Sequence, residues 1–165
     1  MHMSTGPFQP STAPDTARLA LTNGRLVLSD RIAEDQALVV DLAGPAAGRI
    51  AGLAAPAELG SETAIVDVAG RIVIPGLVDI HTHGGQGHTF NEPTEEAFGR
   101  ILAMNARTGV TAVVGTLGSV GIADAVACLD FGRRWQAARR GGARLIGMYL
   151  ESPYISPSQA GALDP

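Results

Sequence analysis

From Pro75 onward, three short apolar runs alternate with two stretches of helical periodicity, and this alternation limits the fold more than any other feature of the chain. The runs are Leu77–Ile80, Val110–Thr116 and Ala143–Leu150. Between the first two, Thr94–Thr108 places Phe98, Ile101, Leu102 and Asn105 on one face, with Glu95 and Glu96 in the first turn and Gly109 placed as a C-cap. Between the last two, Ile122–Arg140 reads as a helix with Ile122, Val126 and Leu129 inward. Arg133, Arg134, Arg139 and Arg140 gather at its C-terminal, negative end. Apolar strands joined by helices are parallel, with right-handed crossovers. The Leu77–Ile80 run then predicts a strand buried on both faces.

Upstream, residues 17–74 follow another grammar, with short β-type runs cut by Gly, Asn and Asp. Arg18–Thr22 and Arg25–Leu28 flank Asn23-Gly24, the signal of a two-residue hairpin. Further runs at Gln36–Val40, Arg49–Leu53, Thr63–Val68 and Arg71–Ile74 predict a small antiparallel sheet or sandwich. Residues 1–16, rich in Pro, Ser and Thr, read as a disordered arm without the apolar segment of a secretory signal. His2, within it, reads as a bystander.

Composition narrows the partners. A net charge of -4 without a basic stripe argues against nucleic acid and anionic membranes, and no apolar run is long enough to span a bilayer. The single cysteine, Cys128, cannot form an internal disulfide, which suits a reducing cytoplasm.

The chemistry concentrates at strand ends. His81-Thr82-His83 closes the first apolar run, and the two-residue period of a strand projects both imidazoles from one face. Placed so, they either grip a divalent cation suited to nitrogen donors, Zn²⁺ or Fe²⁺, or bond to backbone as partly buried histidines. Glu151 follows Leu145–Leu150 at the end of another strand, as a metal ligand or as an exposed loop carboxylate. Asp79 shares the parity of the histidines, to support one of them or to bond the backbone. His88 lies in a loop with Gly84, Gly85 and Gly87, where it either touches a phosphate or metal or is simply solvated. The loop lacks the lysine of a nucleotide-phosphate cradle. Trp135 reads as structural.

Two segments carry a resemblance. Pro75-Gly-Leu-Val-Asp-Ile-His-Thr-His-Gly84 resembles the opening barrel strand of the amidohydrolase superfamily, which a small β domain precedes. Gly147-Met-Tyr-Leu-Glu-Ser-Pro-Tyr-Ile-Ser-Pro157, followed by Gly161-Ala-Leu-Asp-Pro165, is similar to the Leu-Glu-Gly-Pro-Phe and Gly-Ala-His-x-Pro stretches of N-acetylglucosamine-6-phosphate deacetylases. Other amidohydrolases, such as dihydroorotases, use a modified lysine of the fourth strand instead. The resemblance runs over residues 17–165.

The resemblance implies an α/β architecture: the first three strands of a (β/α)8 TIM barrel over residues 75–165, preceded by an incomplete, urease-like composite β domain over 17–74. It implies a metal-dependent hydrolase that converts N-acetylglucosamine 6-phosphate into glucosamine 6-phosphate and acetate in amino-sugar catabolism; the alternatives are another amidohydrolase acting on a different amide or cyclic amide, and a non-catalytic fragment that binds metal or a sugar phosphate. His81, His83 and Glu151 would hold one or two Zn or Fe ions, and Ala162 and Leu163 would touch the sugar. The implied partners are a small amino-sugar phosphate and, for the full-length protein, further copies of itself. Two departures bear on the sugar: Ser152 stands where the family has glycine, and Leu163 where it has histidine. A complete barrel takes about 250 residues. The later metal-binding histidines and the proton-donating aspartate are therefore expected beyond Pro165, and this chain alone is expected to be inactive.

Overall fold

The computed structural model describes residues 17–138, 140–151 and 154–161. The chain divides into two compact units, Met1–Pro75 and Gly76–Pro165.

Seven strands build the first unit: β1 Arg18–Thr22, β2 Arg25–Val27, β3 Ile32–Ala33, β4 Ala37–Asp41, β5 Arg49–Ala54, β6 Thr63–Asp67 and β7 Ile72–Val73. They form a four-stranded sheet in the order β5-β4-β1-β6 and a three-stranded sheet in the order β3-β2-β7. The hairpin expected at Asn23-Gly24 does not form. β1 pairs with β4 and β6, whereas β2 pairs with β3 and β7. Asn23-Gly24 is instead a corner where the chain leaves one sheet for the other, a way of joining packed sheets.

A second corner at Ala69-Gly70 follows the first. Asn23 C=O accepts the Gly70 N–H at 2.7 Å, and its side-chain amide donates to Asp67 at 3.1 Å. Gly24 is required by space rather than by a turn: a Cβ there would lie 2.6 Å from Val68 Cγ2. The antiparallel expectation also needs amending, because β1–β6 and β2–β7 are parallel pairs. Ala20, Ala37 and Val39 form the small core of the larger sheet, with Ala54 and Leu59 against it.

In the second unit, β8 Leu77–Thr82, β11 Val110–Leu117 and β12 Arg144–Leu150 form a parallel sheet in the order β12-β11-β8. Helix α1 Glu95–Arg107 joins β8 to β11, and α2 Ile122–Ala138 joins β11 to β12. The glycine loop after β8 forms a small ribbon, β9 Gly84–Gly85 against β10 His88–Thr89. Thr94 caps α1 by accepting the Ala97 N–H at 3.2 Å, which satisfies one of the free donors at the helix start. The architecture is mixed α/β, as the alternation predicts.

Phe98 anchors the core, edge-on to Phe90 at 5.0 Å and to Phe131 at 4.9 Å, with Trp135 at 5.7 Å. Two expectations fail here for related reasons. The inward face of α2 carries Ala125, Cys128, Gly132 and Trp135, while Ile122 and Val126 are exposed and Leu129 is only partly buried. Small residues let the helix approach the sheet closely, a signal that large apolar residues mask: a Cβ on Gly132 would stand 2.8 Å from Met148 Cγ. β8 is not buried on both faces, since Leu77, Val78 and Ile80 are exposed and it pairs on one side only among the described residues. The arginines differ as well. Arg140 pairs with Glu95 and lies 4.7 Å over the Trp135 ring, and no basic residue occupies the last turn of α2. Arg139, the arm 1–16, Ser152 and residues 162–165 lie outside the described residues.

Candidate metal centre

The site is built at the C-terminal ends of the three parallel strands. β11 pairs with β8 through Gly115 and Thr82 and with β12 through Leu117 and Leu150, so the outer strands end on either side of it. Their backbones are therefore two strand spacings apart, roughly 9–10 Å. Only side chains of some length, projecting from one face, can meet across that gap. His81 and His83 provide them from β8, with ring centroids 5.4 Å apart. Glu151, one residue past β12, provides the third; its N–H donates to Leu117 C=O at 3.2 Å, which continues the parallel ladder beyond the strand.

These groups converge. Glu151 Oε2 lies 3.0 Å from His83 Nε2 and 3.6 Å from His81 Nε2, and one ligand atom from each residue lies within 4.8 Å of the others. Oε2 is buried, yet among the described residues no donor meets it in hydrogen-bonding geometry. A buried carboxylate oxygen facing two imidazole nitrogens is a donor set that could hold one cation. Tetrahedral ligands at about 2.0–2.2 Å from an ion stand roughly 3.3–3.5 Å from one another. The two separations from Oε2 lie close to that value, so the residues fit a divalent ion.

The neighbouring residues have distinct parts. Asp79 Oδ1 accepts the His81 N–H at 3.0 Å, so it fixes backbone rather than an imidazole. His88 stands outside the group; its Nδ1 is 3.0 Å from Glu92 Oε2. That contact and the Thr89 N–H, donated at 2.8 Å, hold the Glu92 carboxyl below its ordinary value. Ala162 and Leu163, implied as sugar contacts, lie outside the described residues.

Three residues near the cluster escape the sequence reading. The Tyr149 ring lies 5.3 Å from His81; its parity with Glu151 along β12 is a signal that could have shown it. Thr116 is side by side with Tyr149 and fully buried, and its hydroxyl has no partner among the described residues. Neighbours in a parallel ladder share a face, which puts Thr116 on the face of the cluster. A polar residue inside a β-branched run is its only trace in the sequence. Asn91 accepts the Gly118 N–H at 3.1 Å, a contact no local pattern announces.

No family model matches the chain. The N-acetylglucosamine-6-phosphate deacetylase of Bacillus subtilis (strain 168) is 33% identical over 100 residues, covering 57% of this chain and 24% of the relative. The chain is similar to the N-terminal part of N-acetylglucosamine-6-phosphate deacetylases. An N-acetylgalactosamine-6-phosphate deacetylase of Escherichia coli O157:H7 is 31% identical over 97 residues, covering 58% of this chain and 25% of the relative. Among solved structures, the N-acetylglucosamine-6-phosphate deacetylase of Pasteurella multocida superposes with a TM-score of 0.78 at 18% identity, covering 89% of this chain and 37% of that one. That likeness is one of fold. The matches to the curated relatives span about a quarter of the relatives' length.

Proposed function

We propose that this chain supplies the first metal-binding elements of an amino-sugar-phosphate deacetylase that hydrolyses N-acetylglucosamine 6-phosphate to glucosamine 6-phosphate and acetate. The observation that carries the proposal is the convergence of His81, His83 and Glu151 around the unpartnered Oε2 atom. The names of the relatives supply the substrate class. We read the parallel sheet as the first three strands of a (β/α)8 barrel. The exposed apolar residues of β8 and the edges that β8 and β12 leave open among the described residues support this, because such surfaces need further strands and helices.

In this reading His81 and His83 bind through neutral imidazole nitrogens and Glu151 through its carboxylate, a donor set suited to Zn²⁺ or Fe²⁺. A divalent ion held there supplies Lewis acidity, bringing the ionisation of water toward neutral pH and polarising the acetamide carbonyl. Asp79 keeps the His81 backbone fixed, so the imidazole is preorganised. Hydrolysis breaks the amide C–N bond; the hydroxyl of water goes to the acetyl carbon and a proton to the departing amine. No fourth His, Cys, Asp or Glu joins the group among the described residues. We assign the remaining ligands and the proton donor to polypeptide outside this sequence. The single cysteine, buried and unpaired, accords with a cytoplasmic setting.

The two relatives act by name on sugars that differ at C4, so a galactosamine phosphate is the second substrate to test. The test is acetate release from both sugar phosphates with Zn²⁺ or Fe²⁺. It is run on the chain alone and on the chain mixed with the Bacillus subtilis relative lacking its matched segment. Release from the mixture only, lost in His83→Ala, is expected. Absence of release with metal bound would count against deacetylation, and turnover by the chain alone would overturn the assignment of the missing groups.

A further inference from the structure

The three metal-site residues lie at the ends of two strands that never touch, since β11 separates β8 from β12. Their separation is therefore set by whatever ties the three strand ends together. Four contacts do so in sequence. His83 C=O accepts the Phe90 N–H at 2.8 Å, and Phe90 is fully buried against Phe98. Next to Phe90, Asn91 Oδ1 accepts the Gly118 N–H at 3.1 Å, just beyond the last residue of β11. Asn91 C=O accepts the Cys128 thiol at 3.3 Å, which pins the same residue to α2. Leu117 C=O, one residue before Gly118, accepts the Glu151 N–H at 3.2 Å.

We infer that Asn91 is a positioning residue for the metal site, bracing the end of β11 so that the β8 imidazoles and the β12 carboxylate stand at ligating distance. The inference rests on the reading of His81, His83 and Glu151 as metal ligands. From β8 to Glu151 the links are backbone groups and the short Asn91 side chain, with the Cys128 thiol holding Asn91 to α2, so the relay has little slack. Of the links that join one strand end to the next, the Asn91–Gly118 contact is the one a side-chain change can cut. Gly118 is buried, and with Asn91 truncated its N–H would lose its acceptor. The strand end would then have to move to find water, carrying Leu117 and with it Glu151. Outer contacts of this kind set metal affinity by orienting the ligands, and their loss commonly weakens binding 10–100-fold.

The test titrates Co²⁺ into the full 165-residue chain and follows its d–d absorption, alongside metal-free thermal unfolding of each variant. Asn91→Ala should weaken Co²⁺ binding by about 10-fold or more and alter the spectrum. Asn91→Asp, which keeps the acceptor oxygen, should bind within about threefold of wild type. A purely structural role would lower the unfolding temperature of Asn91→Ala while leaving the Co²⁺ spectrum and affinity of its folded fraction unchanged, and would overturn the inference. If Asn91→Ala does not fold, Asn91→Asp decides, since weak binding by that variant also overturns it. A wild-type chain that binds no Co²⁺ sinks the metal reading and this inference together. Wild-type binding matched by Asn91→Ala sinks this inference alone.

Discussion

Glycine-to-alanine substitutions in the two helices of the second unit should shift stability in opposite directions. In a helix interior, Ala is favoured over Gly by about 0.8–1.0 kcal/mol. At Gly99, in α1, an added Cβ would meet only Trp135 at 3.7 Å, an ordinary van der Waals contact. Gly99→Ala should therefore stabilise by nearly the full propensity term, about 0.5–1 kcal/mol. At Gly132, in α2, the same Cβ would stand 2.8 Å from Met148 Cγ and 2.9 Å from its sulfur. Overpacking of this kind costs about 1–3 kcal/mol, which exceeds the propensity gain, so Gly132→Ala should destabilise by about 0.5–2 kcal/mol. Met148 is flexible, which holds the cost toward the lower end. The single tryptophan, Trp135, is buried in this core, so its fluorescence in a urea titration reports the second unit selectively. With a slope of about 1–3 kcal/mol per molar urea, midpoints should move by a few tenths of a molar or more, up for Gly99→Ala and down for Gly132→Ala. A stabilising Gly132→Ala would refute the close approach of α2 to β12.

Two further substitutions probe the site face and the adjoining ribbon. Thr116→Val removes a buried hydroxyl without a partner, so the metal-free chain should gain up to about 1 kcal/mol in the same titration; a loss of that size would mean the hydroxyl is bonded. The Glu92 carboxyl titrates below its ordinary value of 4.5 because His88 and the Thr89 N–H favour its charged form. A lowered folded value contributes stability above the unfolded value, and that contribution is lost as pH falls through the folded one. Stability of wild type should thus fall more steeply than that of Glu92→Gln as the pH drops below about 4.5, and parallel profiles would show that the contact is not made in solution.

Much of the second unit is legible because its signals are local. Apolar runs and helical spacing announce β8, α1, β11, α2 and β12, and the parity of His81 with His83 requires nothing beyond the strand period. What escapes the sequence is set by tertiary partners. Asn23-Gly24 carries a genuine turn signal, but the hydrogen bonds of its flanking strands go to β4, β6, β3 and β7, so it forms a corner between sheets. The inward face of α2 escapes the sequence because close packing selects Ala125, Cys128 and Gly132 over the larger Ile122 and Val126. The site divides the same way: its three ligand candidates end apolar runs and can be read off, while Thr116 and Asn91 matter through residues distant in sequence.

The claim on which the account depends is that His81, His83 and Glu151 share one cation. Calorimetric titration of Zn²⁺ into the full chain, repeated with His83→Ala and Glu151→Gln, tests it most directly. Saturable binding at one site is expected in wild type, weakened in both variants by more than the roughly 10–100-fold typical of losing an outer contact. Zn²⁺ binding that survives both substitutions unchanged would contradict it.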